Sequence, residues 1–183
     1  MASNLKTNFL MAPLAVFLFL VVSSSARLTI KPLESEIEHI CSGATNPEFC
    51  LKFLKSKPET AKADLLTLAK LVIDYARQIT TETQKHIDSN IEKATDATSK
   101  GVYKNISGEY GHSLAYLGDA LKALARGDGD SLKMFASGVM HQALNCMDNF
   151  AAFKVSPDPS SIIEEMKYLY NVSDILLSIS NMI

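Results

Sequence analysis

Apolar side chains recur at intervals of three and four residues along most of this chain, and this spacing constrains the fold more than any other feature. The clearest example is the stretch from Lys62 to about Ser99, which contains neither glycine nor proline. Its apolar or small positions are Leu65, Leu68, Val72, Ala76, Ile79, Thr83, Ile87, Ile91 and Ala94. Such spacing places side chains on one face of an α-helix. The stretch therefore predicts a long amphipathic helix.

Three further stripes with the same spacing follow. The members of the second are Ile106, Tyr110, Leu114, Leu117, Leu121 and Leu124. It stops at Arg126-Gly127, and a basic last turn followed by glycine is typical of a helix C-terminus. The members of the third stripe, which ends before Pro157, are Leu132, Phe135, Val139, Ala143, Cys146 and Phe150. The members of the fourth, which begins after Ser160, are Ile163, Met166, Leu169, Ser173, Leu176, Ile179 and Ile183.

These four stripes predict the fold class. No segment alternates apolar and polar residues over the length of a strand, so the sequence predicts no sheet. Helices that are apolar on one face and joined by short connections bury those faces against one another as a bundle. We therefore predict an all-α protein with an up-down-up-down four-helix bundle over residues 60–183.

A short helical hairpin is predicted to precede the bundle, over residues 31–57. Pro32 and Pro47 each suit the first turn of a short helix. Cys41 and Cys50 flank the turn between these two helices, so one disulfide can close the hairpin in a secreted chain. In the chain-entropy model a loop this short contributes about 2–3 kcal/mol.

The first 26 residues have the pattern of a secretory signal peptide. Lys6 is the only charged residue among them, the segment Phe9–Val22 has no charged or hydrogen-bonding side chain, and small residues follow up to Ala26. A membrane anchor is the alternative, but a spanning helix needs about 20 apolar residues, and this stretch is shorter and contains Pro13. Cleavage after Ala26 would leave a secreted domain of residues 27–183.

Composition argues against nucleic-acid binding and gives no sign of an enzyme. The chain has 18 basic and 20 acidic residues, a formal charge of −2, so it lacks the basic excess that nucleic-acid binding requires. It contains no motif of phosphate-binding loops, serine hydrolases, zinc proteases or paired-cysteine zinc sites. Its histidines are scattered over different predicted helices: His39, His86, His112 and His141. We therefore predict no catalytic residue, no metal site and no cofactor.

Two N-x-[ST] sequons mark candidate N-glycosylation sites. They are Asn105-Ile106-Ser107 and Asn171-Val172-Ser173. Both lie on predicted helices, and each includes a member of an apolar stripe. Glycosylation of a folded helix requires that the asparagine be exposed. An unmodified asparagine on a helix face therefore stays open as the alternative at both positions.

The order and spacing of several segments resemble a known family. Eight residues separate Cys41 from Cys50 across the hairpin, and a third cysteine lies late in the third bundle helix. The resembling segments are the hairpin (40–51), the start of the first bundle helix (63–69), the second turn (121–128), the third helix (146–150) and the C-terminal stretch (173–181). Together they resemble the plant invertase and pectin methylesterase inhibitors, over residues 31–183. The last segment is similar to the pectin methylesterase branch.

This resemblance implies a secreted inhibitor in the plant cell wall and no enzymatic activity. Members of the pectin methylesterase branch lie across the substrate cleft of the enzyme, so the expected partner is a pectin methylesterase in a 1:1 complex. The invertase branch inserts a Pro-Lys-Phe segment from the loop between the second and third bundle helices, but here that loop reads Gly127-Asp128-Gly129-Asp130-Ser131. Acid invertase is the alternative partner, and a helical binding protein that kept the fold without inhibiting is the other alternative.

The resemblance also predicts the state of Cys146. In the family a second disulfide joins the cysteine of the third bundle helix to one in the second, four residues before Tyr110. That position is Ile106 in this chain. Cys146 is therefore expected to be an unpaired thiol in a monomer, where it acts as a small buried residue, and a dimer linked through Cys146 is the alternative.

Four positions that match the family's contact surface are expected to form the inhibitory interface. They are His112, Ala115, Asn145 and Asp148. The first two are usually acidic in the family and the third is usually threonine, so only Asp148 keeps the expected residue type. This loss of charge leaves open whether inhibition is weak, retargeted or absent. His112 is expected to make binding depend on pH, because histidine changes charge near the acidic pH of a plant cell wall.

Overall fold

Six α-helices and one short 3₁₀ turn are the regular elements of the part of the chain that the structure describes. The computed structural model describes residues 33–183, with side chains from residue 35, so the predicted signal peptide lies outside the described residues. The helices are α1 (Leu33–Ser42), α2 (Pro47–Lys55), α3 (Leu65–Lys93), α4 (Ala97–Ala125), α5 (Gly129–Ala152) and α6 (Ser160–Ser180). The all-α prediction is confirmed.

The four long helices form the predicted bundle. Each packs against two neighbours, in the pairs α3–α4, α4–α5, α5–α6 and α6–α3. The connections between them are short, at residues 94–96, 126–128 and 153–159. Short connections make consecutive helices antiparallel, so the chain runs up, down, up and down around one core. Within the described residues, none of these helices is both long and apolar enough to cross a membrane.

An aspartate caps the N-terminus of three of the four long helices. The carboxylates of Asp64, Asp96 and Asp128 each accept a hydrogen bond from a backbone N–H three residues further on, at 2.8, 2.8 and 3.0 Å. Hydrogen bonds from Thr67, Ser99 and Ser131 hold the pKa of these carboxyls below its usual value. The capping bonds satisfy N–H groups that have no partner within the helix.

The break between α3 and α4 differs from the sequence prediction, which extended one helix to about Ser99. The helix ends at Lys93, and the next begins at Ala97 with Asp96 as its cap. Neither glycine nor proline marks this break, so composition alone gave no sign of it. The capping aspartate, three residues before Ser99, was the available signal. By contrast, the predicted stop after Arg126 is confirmed, because Gly127 takes the left-handed conformation at φ 65°.

The hairpin of α1 and α2 is closed by a disulfide between Cys41 and Cys50, as predicted, with their Cα atoms 5.4 Å apart. The hairpin contacts the bundle through α6. The buried carboxylate of Asp174 accepts hydrogen bonds from the backbone N–H of Thr45 at 2.7 Å and from its hydroxyl at 3.2 Å. The ring of Phe49 packs edge to face on Tyr168 at 5.2 Å. The 3₁₀ turn that follows the hairpin, Pro58–Lys62, packs against α1 and α2, and the bundle itself begins with α3.

Two aromatic pairs fix the register between the antiparallel helices α4 and α5. The Tyr103 and Phe150 rings lie 5.3 Å apart, and the Tyr116 and Phe135 rings lie 6.3 Å apart. Because the helices are antiparallel, the residue one position later on α4 lies level with the residue one position earlier on α5. Ile106 then falls between the levels of Asn145 and Met147, which is the level of Cys146. Both Ile106 and Cys146 are fully buried.

Candidate docking surface between α4 and α5

A polar cleft opens on the surface between α4 and α5. It has a volume of about 320 Å³ and is lined by Glu109 of α4 and by Asn145, Asp148 and Asn149 of α5. The three α5 residues are spaced three and four apart, so they lie on one edge of that helix. The stripe that contains Cys146 and Phe150 faces the core, which directs this edge towards α4 and the solvent. We call these four residues the docking cleft.

The edge of α4 that borders the docking cleft consists of Asn105, Glu109, His112 and Tyr116, at spacings of four, three and four. Its orientation follows from Tyr116, whose ring lies against Gly138 of α5. A Cβ atom at Gly138 would come within 3.1 Å of that ring, so the absence of a side chain allows the close approach. His112 and Glu109 lie one and two turns before Tyr116 on the same edge, so they face the groove beside α5.

The docking cleft is rich in hydrogen-bond acceptors and carries negative charge. Asp148 forms no ion pair with any residue that the structure describes. The Oε2 atom of Glu109 lies 3.7 Å from Nδ1 of His112, one turn further along α4. His112 itself is 66% exposed. Two carboxylates and two side-chain amides in an open cleft suit a partner that presents a lysine, an arginine or amide N–H groups.

The structure brings together some of the residues predicted for the interface. Asn145 and Asp148 line the docking cleft, and His112 lies beside it through its contact with Glu109. Ala115 is exposed on α4 but does not line the cleft. Glu109 and Asn149 were missed by the sequence analysis. The spacing of Asn149 from Asn145 and Asp148 was the signal that could have found it.

The free thiol of Cys146 lies beneath the docking cleft. Cys146 is fully buried and unpaired. Burial, with a smaller effect of the Glu109 carboxylate, raises the pKa of this thiol to about 12. The thiol therefore stays protonated at physiological pH and is a poor nucleophile. A disulfide between two chains requires an accessible sulfur, which the folded chain does not offer at this position.

The two sequon asparagines differ in their surroundings. Asn105 is exposed and forms no hydrogen bond with another described residue. Asn171 is partly buried, and its Nδ2 donates to the carbonyl oxygen of Lys167 at 2.8 Å. Ser173, the third residue of that sequon, is fully buried. Of the two positions, Asn105 is the one whose side chain is free to carry a substituent in the folded chain.

Among the described residues no three or more histidine, cysteine, aspartate or glutamate side chains converge in a way that could hold a metal ion. The closest histidine contact is between His86 Nδ1 and Glu165 Oε1, at 3.0 Å across α3 and α6. This pair is partly exposed and joins two helices. It serves as a contact within the bundle.

The fold and the docking cleft together define a class of protein. A helical bundle with a disulfide-closed hairpin and an open, polar cleft on two rigid helices is suited to binding another macromolecule through its surface. The family model for plant invertase/pectin methylesterase inhibitors matches residues 35–179. The chain belongs to this family, so the resemblance seen in the sequence is confirmed.

Individual relatives match along the whole chain. Pectinesterase inhibitor 1 of Arabidopsis thaliana is 36% identical over 183 residues, which cover 100% of this chain and 98% of the relative. Pectinesterase inhibitor 2 of the same plant is 34% identical over 182 residues, covering 100% and 99%. The pectinesterase inhibitor of Actinidia deliciosa is 32% identical over 184 residues, covering 100% and 98%.

Solved structures show the same fold. The crystal structure of mutant form A of a pectin methylesterase inhibitor from Arabidopsis matches with a TM-score of 0.73 and 36% identity, covering 81% of this chain and 97% of that one. A second crystal structure of a pectin methylesterase inhibitor from Arabidopsis thaliana matches with a TM-score of 0.62 and the same identity, covering 81% and 95%.

Proposed function

We propose that this protein is a secreted inhibitor of pectin methylesterase and not an enzyme. The observation that carries the proposal is the similarity to pectinesterase inhibitors along the entire chain, at 32–36% identity. The predicted signal peptide supports secretion, and the substrate of the target enzyme lies in the plant cell wall, so we propose the apoplast as the site of action. One inhibitor binds one enzyme molecule and covers its substrate cleft.

The docking cleft between α4 and α5 is the proposed contact surface. Asp148 and Asn145 lie there with Glu109, and these side chains stand on long helices whose backbones are held by the core. Because these backbones are already ordered, a partner that binds here does not have to order the main chain. The charge that the family places at the positions of His112 and Ala115 is absent here, and Glu109, one turn before His112, supplies a carboxylate to the cleft instead. Glu109 therefore joins the proposed interface.

The connection between α4 and α5 argues for pectin methylesterase over acid invertase. It is a tight turn in which Asp128 caps α5 and Gly127 takes a left-handed conformation. A turn this short leaves no projecting segment of the kind that the invertase branch inserts. An acid invertase therefore serves as the comparison enzyme in the test.

The proposal is tested by measuring inhibition and stoichiometry with residues 27–183. We expect the protein to inhibit a plant pectin methylesterase, to leave an acid invertase active, and to form a complex with the mass of one inhibitor and one enzyme by light scattering. Inhibition of the invertase alone would replace the proposed target. A folded protein that inhibits neither enzyme would identify it as a binding protein that kept only the fold.

His112 is expected to make inhibition depend on pH. Protonation of a histidine adds a positive charge, and a positive charge at His112 would pair with Glu109 on its own helix. Protonation then offsets the negative charge that attracts a basic partner group, so inhibition should weaken as the pH falls. The His112→Ala variant should lose this part of the pH dependence between pH 5 and 7.5.

The pH measurement needs a correction for the enzyme's own pH profile, which is obtained by reporting the inhibition constant at each pH. His39→Ala is the matched control, since His39 is exposed on α1, which contributes no residue to the cleft. An identical pH dependence of the inhibition constant in wild type and His112→Ala would remove His112 from the proposed mechanism.

A further inference from the structure

The edge of α4 that borders the docking cleft also carries a sequon, Asn105-Ile106-Ser107. We propose that Asn105 is N-glycosylated in the secreted protein and that its glycan restricts access to the docking cleft. The inference rests on the proposed function for the identity of the partner. It assigns a modification and a regulatory role to an asparagine that contributes nothing to the core.

The first support is the position of Asn105 on α4. It lies on the same edge as Glu109 and Tyr116, and Tyr116 shows that this edge faces α5. Residues four apart on a helix have Cβ atoms about 5–6 Å apart. Asn105 is therefore one turn from Glu109, a lining residue of the cleft.

The second support is the register between α4 and α5. The ring pairs Tyr103–Phe150 and Tyr116–Phe135 place Asn105 level with residues 146–148 of α5. Asp148 is thus at the level of Asn105, while Asn145 is at the level of residues 106–108, just before Glu109. A substituent on Asn105 would stand at the end of the cleft marked by Asp148 and Asn149.

The third support is the freedom of the side chain. Asn105 is exposed and makes no hydrogen bond with another described residue, so a glycan on Nδ2 breaks no contact in the fold. Asn171 differs, because substitution of its Nδ2 would disturb the hydrogen bond to Lys167. Asn171 also lies on α6, which contributes no residue to the docking cleft.

The modification requires an oligosaccharide donor linked to lipid pyrophosphate, which secreted chains meet on the secretory route. The Nδ2 atom of Asn105 forms a bond to the anomeric carbon of the first sugar. The bond from that carbon to the pyrophosphate breaks, the lipid pyrophosphate leaves with the electron pair, and Nδ2 loses one proton. No oxidation or reduction occurs.

A branched glycan of many sugars is larger than the cleft it would border. It is bulky and hydrated, and a protein partner that docks on Glu109 and Asp148 would have to displace it. Molecules with an occupied sequon should therefore inhibit more weakly than unoccupied ones. The fraction of occupied Asn105 would set the inhibitory strength of the secreted population.

The experiment compares wild type, Asn105→Gln and Asn171→Gln, all secreted from plant cells, with wild type made in bacteria, which carries no glycan. Mass spectrometry of the peptide containing Asn105 measures occupancy, and titration against pectin methylesterase gives the inhibition constant. We expect a glycan at Asn105, and an inhibition constant about tenfold lower for Asn105→Gln than for secreted wild type. Asn171→Gln should behave as secreted wild type.

Three results would contradict these expectations in different ways. An unmodified Asn105 in the secreted protein would overturn the proposed modification. A glycan at Asn105 with equal inhibition constants for wild type and Asn105→Gln would overturn its regulatory role. Absence of inhibition by the folded bacterial protein would instead overturn the proposed function, while the occupancy measured by mass spectrometry would still decide the modification.

Discussion

Reversing both charges of the docking cleft should abolish most of the inhibition without affecting the fold. In the double variant Glu109→Lys, Asp148→Lys, two lysines replace the carboxylates that line the cleft. A basic group of the partner would then meet like charges. Loss of a desolvated charge pair across an interface typically costs about 2–5 kcal/mol, so we expect the inhibition constant to rise by at least about a hundredfold, or about 2.7 kcal/mol. Titration of pectin methylesterase activity measures this change.

The matched control reverses two carboxylates away from the cleft, Glu38→Lys with Glu92→Lys. Both residues are exposed, on α1 and α3, and neither lines the docking cleft. This control has the same net charge as the cleft variant, so it separates a local effect from the effect of overall charge. Equal inhibition constants for the two double variants would show that the partner docks elsewhere. Thermal unfolding of both proteins should match wild type, because all four side chains lie at the surface or in an open cleft.

The bundle could be predicted because its determinants are local. The spacing of apolar residues reports the buried face of each helix directly, and Leu68, Val72 and Ala76 are all fully buried as their stripe indicates. The end of α4 could also be predicted from the sequence, because Gly127 marks it. The break before Asp96 was missed because a single capping carboxylate competes with strong helix periodicity on both sides.

The docking cleft could be predicted only in part, because it depends on how two helices face each other. Asn145 and Asp148 came from a resemblance, and spacing within one helix does not reveal which residue of α4 lies across from them. That partner, Glu109, is set by the rotation and register of α4 against α5. Contacts distant in sequence fix both, notably the ring of Tyr116 on Gly138. Such pairings become apparent only in three dimensions.

Introducing a cysteine opposite Cys146 should strongly stabilise the bundle. Ile106 lies at the level of Cys146 on the facing helix, and both side chains are fully buried. In the Ile106→Cys variant a disulfide would close a loop of about 40 residues, which the chain-entropy model values at about 4 kcal/mol. Cysteine is smaller than isoleucine and buries less apolar surface. This loss costs about 1 kcal/mol and offsets part of the gain from the disulfide. We expect a net gain of about 3 kcal/mol, measured by urea unfolding without reductant.

Two controls separate the disulfide from the change in packing. Ile106→Ala removes more of the side chain than Ile106→Cys, leaves a cavity and forms no disulfide, so it should lose about 2–5 kcal/mol. Ile106→Cys unfolded in the presence of reductant should fall below wild type. Thiol labelling under denaturing, non-reducing conditions should find one cysteine in wild type and none in Ile106→Cys, since Cys41 and Cys50 are already paired. Two labelled thiols in the variant would show that Ile106 and Cys146 do not face each other, and would remove the register on which the placement of Asn105 beside Asp148 depends.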